Sequence, residues 1–322
     1  MFAHQIVGYT GPDDVRWAEV PEPAGDGGAL IDVAAAGVSF ADLLQTRGAY
    51  QLKPPLPYTP GMDAAGVVRS APPGSGLAAG QHVAVLRPYG CWQETVSVPP
   101  EQILPLPPDM SFDAGAAAPL NYLTALFALD RRARVRAGET LLVHGAAGGV
   151  GTAAVQLGRA LGLRTIAVVG DEAKQAFARR CGAQHAVLGE GWPAAVRDLV
   201  GERAIDVVID PVGGDRMTDS LRSLAPEGRV VVVGFAAGEI PVVKTNRLLL
   251  GNTGVLGAAS REFFEQRPGA VARLWEQLLR LRRAGSLAEP PVQRYRFEDA
   301  RGALRAIAQR NALGTVVLSR QA

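Results

Sequence analysis

An apolar run, Thr140-Leu-Leu-Val-His144, passes directly into Gly145-Ala-Ala-Gly148-Gly149-Val150-Gly151, and residues 152–161 then carry a helical pattern. Few folds accommodate a strand, a glycine turn and a helix in that order. Glycines permit the tight reversal and let backbone N–H groups approach a pyrophosphate, while the helix turns the positive end of its dipole toward the charge. The spacing is Gly-x-x-Gly-x-x-Gly rather than Gly-x-Gly-x-x-Gly. The surroundings of the turn must therefore decide between a dinucleotide cradle and a turn that binds nothing.

Those surroundings alternate strand and helix. Strand-like runs fall at 141–144, 165–169, 186–188, 206–209, 230–233 and 254–256, with helical segments between most of them. That pattern predicts an α/β fold with a doubly wound parallel sheet. One helix is expected over 262–283, ahead of Pro290-Pro291. Roughly the first 110 residues read differently, with short alternating runs such as Ala29-Leu-Ile-Asp-Val-Ala34 and His82-Val-Ala-Val-Leu86. Pro and Gly punctuate them, which predicts a twisted antiparallel β barrel or sandwich. Residues 109–130 turn helical, and the β-like Thr315-Val-Val-Leu318 is expected to return to the first domain. The run 251–258 is a candidate edge strand, suited either to pairing across a twofold axis or to ending a sheet.

A chain of 322 residues has room for two domains. Its 33 basic and 31 acidic residues leave a net charge of +2 with no basic block, which argues against a nucleic-acid partner. Residues 1–20 carry Asp13, Asp14, Arg16 and Glu19 rather than the apolar core of a signal peptide. No apolar run approaches the ~20 residues that span a bilayer, so no membrane insertion and a cytoplasmic location are expected. Cys91 and Cys181, the only two cysteines, supply neither a disulfide framework nor a four-cysteine zinc knot, and both are read as packed residues. The histidines are scattered; His144 closes a strand and His185 opens one, which favours scaffold roles.

The stretch from Gly138 to Arg159 closely resembles the signature of the quinone oxidoreductase (zeta-crystallin-like) branch of the medium-chain dehydrogenases. Further matches are Gly37-Val-Ser-Phe-Ala-Asp42, Pro57-Tyr-Thr-Pro-Gly61, Asn121-Tyr-Leu-Thr-Ala125, Asp210-Pro-Val-Gly-Gly214 and Gly234-Phe235. The resemblance implies a GroES-like catalytic domain from residues 1–118 and 286–322, around a Rossmann dinucleotide-binding domain at 119–285. It also implies NADPH-dependent reduction of quinones or conjugated carbonyls by a homodimer. Zinc-dependent relatives show Gly-His-Glu where this chain has Gly61-Met62-Asp63, and a cysteine near Ser39. A zinc site needs three or four converging ligands, so no metal is expected.

The resemblance also assigns residues. Gly148, Gly149, Val150 and Gly151 would hold the pyrophosphate. At the end of the second Rossmann strand an acidic side chain suits NAD, whereas cations suit the 2′-phosphate of NADPH. Here Gly170 leaves room, and Lys174 and Arg310 align with cations that contact that phosphate. Asp171 in this loop, and Gly189 in place of a tyrosine, depart from the relatives. Thr124 would hold the nicotinamide carboxamide, with Gly234 and Phe235 as the backbone edge beside the ring. Tyr50, Ser39 and Asn121 (or Tyr122 beside it) are candidate donors to the acceptor oxygen. Leu44 replaces a frequent tyrosine and makes the pocket more apolar. Three functions follow: an NADPH:quinone reductase, a reductase of α,β-unsaturated carbonyls or enoyl thioesters, and a crystallin-like dinucleotide-binding structural or regulatory protein with little turnover.

Overall fold

The computed structural model describes residues 1–25 and 27–321. The chain divides into two compact units: Met1–Leu120 with Glu289–Ala322, and Asn121–Ala288. In chain order the first unit opens with β1 (Phe2–Ile6), β2 (Val15–Glu19), β3 (Ala29–Val38), helix α1 (Phe40–Thr46), β4 (Asp63–Ser70) and β5 (His82–Leu86). β6 (Thr95–Val98), β7 (Ile103–Pro105) and α2 (Phe112–Leu126) follow, and the division between units falls inside α2.

The second unit alternates strand and helix as expected. It contains β8 (Thr140–His144), α3 (Gly149–Ala160), β9 (Arg164–Val169), α4 (Glu172–Arg180), β10 (His185–Leu188) and α5 (Trp192–Val200). Then come β11 (Ile205–Asp210), α6 (Met217–Ser223), β12 (Leu224–Val232), α7 (Thr245–Gly251), β13 (Gly254–Gly257), α8 (Ser260–Gln266) and α9 (Ala270–Arg283). The chain re-enters the first unit through β14 (Val292–Arg296), α10 (Ala300–Ala308) and β15 (Thr315–Ser319).

In the first unit a seven-stranded sheet runs β14-β15-β3-β4-β5-β7, with β6 also pairing β3. Only β14 and β15 are parallel; the other pairs are antiparallel. β3 alternates buried and half-buried residues as far as Ala34, then is buried on both faces from Ala35 to Val38. There β15 and β4 flank it, whereas β6 and β4 flank its first half, so the strand is internal along its length and the period-two signal ends where both faces are covered. The core gathers Ile31, Val33, Val85, Trp92, Phe297 and Leu318.

In the second unit six parallel strands run β10-β9-β8-β11-β12-β13. The order reverses between β8 and β11, the position where open α/β sheets bind ligands beyond their carboxyl ends. The single helix expected over 262–283 is in fact two, α8 and α9. Pro268 lacks an N–H and disfavours helical backbone at Arg267, while Gly269 caps α9 at φ 76°. Apolar spacing alone had concealed the break, because Leu274, Trp275, Leu278 and Leu279 keep a buried stripe on α9. Among the described residues no helix is long and apolar enough to cross a membrane.

Candidate dinucleotide site

β8 is buried along its whole length and delivers the chain to Gly145, which takes φ 59°. The Gly145 carbonyl accepts from Gly148 N–H at 3.0 Å, closing the turn, and Gly148 caps α3 in extended conformation with no side-chain hydrogen bond. Bulk is excluded around it. A Cβ on Gly151 would stand 2.1 Å from the Gly145 oxygen, and one on Gly149 would stand 2.6 Å from Asn121 Oδ1. Asn121 therefore packs directly on the turn. The first N–H groups of a helix have no partner inside it, and here only Val150 carries a side chain among residues 148–151. A bare, positively polarised helix start of this kind fits a pyrophosphate.

Three more strand ends complete the carboxyl edge of the sheet. Beyond β9, Gly170 is followed by Asp171, which caps α4: its Oδ1 accepts from Lys174 N–H at 2.8 Å. Asp171 Oδ2 also lies 2.9 Å from Lys174 Nζ. The Lys174 side chain, through that hydrogen bond, holds the Asp171 carboxyl below the usual range. Beyond β11, buried Asp210 accepts from Val212 N–H at 2.9 Å and Gly213 N–H at 3.0 Å, folding Asp210–Gly214 into a tight loop. Burial raises its carboxyl above the usual range despite those donors. Beyond β12, Gly234 packs over the Pro211 carbonyl, and a Cβ on Gly213 would come within 3.0 Å of the Phe235 ring. Phe235 itself is 40% exposed.

Thr124 and Asn121 come from α2, and both are buried. The Thr124 hydroxyl lies 3.0 Å from that of Ser260, at the start of α8. No sequence signal announced Ser260. The role of Asp210 was more legible, since an Asp ahead of Pro-x-Gly-Gly is an Asx-turn signature. Tyr122 is not available as a donor: it is buried, and its hydroxyl donates to Gln156 Oε1 at 2.7 Å.

The remaining candidates lie in the first unit. Ser39 caps α1 in a reciprocal box with Asp42: the Ser39 N–H donates to Asp42 Oδ2 at 2.8 Å and the Asp42 N–H to Ser39 Oγ at 3.2 Å. Ser39 Oγ also donates to Asp42 Oδ2 at 2.5 Å. Asp42 has no exposed surface, and burial pushes its carboxyl up to about 6. Asp63, equally sequestered and accepting from Leu120 N–H at 3.1 Å, is raised as well, first by burial and then by the nearby charge of Asp42. Tyr50 and Leu44 are half-buried, and Arg310 is exposed at φ 59° beyond α10. Met62 and Cys91 are packed in the core, and burial holds the Cys91 thiol protonated. Among the described residues no three His, Cys, Asp or Glu side chains gather as metal ligands. The second unit thus brings together Gly148–Gly151, Thr124, Gly170, Lys174, Gly234 and Phe235, with Asn121; Ser39, Tyr50 and Arg310 belong to the other unit.

A doubly wound sheet with a glycine cradle at its switch point, in one chain with an antiparallel β unit built from both ends of the sequence, defines an oxidoreductase of the medium-chain dehydrogenase/reductase class. Residues 25–108 match the alcohol dehydrogenase GroES-like domain, and residues 149–276 match the zinc-binding dehydrogenase domain. The chain is 36% identical to quinone oxidoreductase-like protein 2 of Rattus norvegicus over 303 residues, 93% of this chain and 87% of the relative. It belongs to the zinc-independent quinone oxidoreductase family. The quinone oxidoreductase of Thermus thermophilus, solved also in complex with NADPH, superposes with a TM-score of 0.82 at 35% identity, covering 99% of this chain and 100% of that one. CurK enoyl reductase superposes at 0.85 with 25% identity, covering 99% and 98%.

Proposed function

We propose that this chain binds NADPH at the α3 cradle and reduces quinones. The observation that carries the reading is the bare first turn of α3, where a Cβ at Gly149 or Gly151 would collide with Asn121 or the turn itself. NADPH bound there supplies a hydride, and the protein's task is to orient it and polarise the acceptor. Backbone N–H groups of Gly148–Gly151 hold the pyrophosphate, while Gly170, Lys174 and Arg310 receive the 2′-phosphate. Thr124, braced by Ser260, takes the carboxamide, and Gly234 and Phe235 border the ring. Tyr50 and Asn121 donate to the acceptor oxygen. Ser39 joins them only while Asp42 carries its own proton, because otherwise its single hydrogen points at Asp42 Oδ2. The functional unit is a homodimer, supported by the edge strand β13 and by Leu249 and Leu250 at 76% and 78% exposure nearby.

A second reading, reduction of α,β-unsaturated carbonyls or enoyl thioesters, is supported by the likeness to an enoyl reductase and by Leu44. A panel of quinones and enones with product identification separates them. NADPH oxidation with a simple quinone is expected. Inert quinones with C=C reduction would transfer the assignment to the second reading, and tight NADPH binding without any turnover would transfer it to a dinucleotide-binding structural protein.

A further inference from the structure

Lys174, in the first turn of the helix that follows β9, is not presented alone. Lys174 Nζ sits 2.9 Å from Asp171 Oδ2, and its side chain is only 20% exposed against 50% for Asp171. The carboxylate is anchored independently of that contact, because its Oδ1 accepts the Lys174 N–H as the α4 cap. Around this pair the surface is open. A Cβ on Gly170 would meet nothing nearer than Lys174 Nζ at 4.0 Å, and one on Gly189 only the Val169 oxygen at 3.6 Å. Gly189 N–H donates to the Val169 carbonyl at 2.8 Å, which holds the ends of β9 and β10 side by side.

In a Rossmann sheet the adenosine ribose lies at the end of the second strand, here β9. A carboxylate there accepts ribose hydroxyls, whereas a 2′-phosphate needs a cation and is repelled by a carboxylate. This chain places both groups in one ion pair. With the pair closed, Asp171 keeps lone pairs for a ribose hydroxyl, and Lys174 neutralises it. For a 2′-phosphate to be held, Lys174 must share its charge and its three N–H donors between the phosphate and Asp171, which stays fixed by its cap bond and close to the incoming dianion. We infer that Asp171 is a specificity-determining residue, which brings NADH into use beside NADPH by competing for Lys174 and by offering an acceptor to the unphosphorylated ribose. The inference rests on the α3 cradle being the cofactor site.

Competition for Lys174 and repulsion of the dianion both act against the 2′-phosphate, and they differ in size. A surface ion pair contributes little by itself, while a unit charge facing a dianion at several ångströms in partly solvated surroundings changes affinity by about threefold to tenfold. Asp171→Asn isolates them, since asparagine caps a helix as well as aspartate and keeps the acceptor for Lys174 N–H. Fluorescence titration of the full-length protein with NADPH and NADH should show wild-type binding of both. In Asp171→Asn, NADPH should bind about threefold to tenfold tighter and NADH weaker, so the preference moves by about tenfold. Lys174→Ala should weaken NADPH and spare NADH. An unchanged NADPH-to-NADH ratio in Asp171→Asn, with Lys174→Ala still selective, overturns the role of Asp171 alone. Equal loss or no loss of both cofactors in Lys174→Ala overturns the placement of the phosphate at β9, and the inference with it.

Discussion

At the scale of single residues, the least expected feature is a pair of carboxyls shut inside a β-rich core. Ser39-x-x-Asp42 is legible in the sequence as a capping box, but a cap usually faces water, and nothing local tells that Asp42 is fully enclosed with Asp63 beside it. The cost has a sign. The Asp42 carboxyl titrates near 3.8 when solvated and about 6 in the fold, so its contribution is complete below the lower value and is lost as pH rises through the upper. That displacement corresponds to about 3 kcal/mol at neutral pH. Asp42→Asn should therefore gain on the wild type between pH 4 and 7, measured as the difference in urea midpoints at each pH. A pH-independent difference would show that Asp42 does not titrate in this window. Quinone turnover gives a second readout, since any share that uses the Ser39 hydroxyl should grow as pH falls through about 6.

Among the elements, α3 separates what a glycine does for the fold from what it does for a ligand. Gly151 faces the Gly145 carbonyl at a distance no Cβ tolerates, and the obstacle is backbone. Gly151→Ala should cost roughly 1–3 kcal/mol and reduce NADPH binding. Gly148 differs: its φ is −84°, and a Cβ there would meet only the Gly145 oxygen at 3.5 Å. Gly148→Ala should leave the melting temperature within a degree or two of wild type, because surface changes without strain shift stability by only tenths of a kcal/mol. Its NADPH affinity should still fall at least tenfold, since the methyl occupies the place of the pyrophosphate. Unchanged affinity would remove Gly148 from the cradle. The strand–turn–helix order was fully readable, because propensity and glycine spacing act locally. The division of 262–283 at Pro268 was masked by apolar periodicity, and the Thr124–Ser260 contact joins residues far apart in sequence, beyond any local pattern.

On the scale of the whole molecule, strand alternation and length sufficed for two kinds of architecture, and all six parallel strands fall on the expected runs, most extended by one residue at an end and β12 starting six residues earlier and stopping one earlier than expected. The largest extension is β12, which starts at Leu224 although Pro226 and Gly228 interrupt its pattern. Association is the least legible property, because an edge strand reads alike whether or not it finds a partner. Replacing Leu249 and Leu250 together by Glu should convert a dimer to monomer in sedimentation without impairing NADPH binding, as both leucines are exposed on α7 and neither is among the residues assigned to the cofactor. A monomeric wild type would refute the homodimer directly.

The pairing of β15 with β3 joins the two sequence segments of the first unit, with β15 standing between β14 and β3 in the sheet. On a ribosome, residues 121–288 emerge as one uninterrupted segment, while the strand that closes the earlier sheet is made only after them. The cofactor unit can thus fold while the first unit's sheet still shows the open flank of Val38, Gly37 and Ala36, a template for other strands. The order of completion therefore departs from the order of the sequence: the middle is finished first, and the beginning waits for residues 315–319.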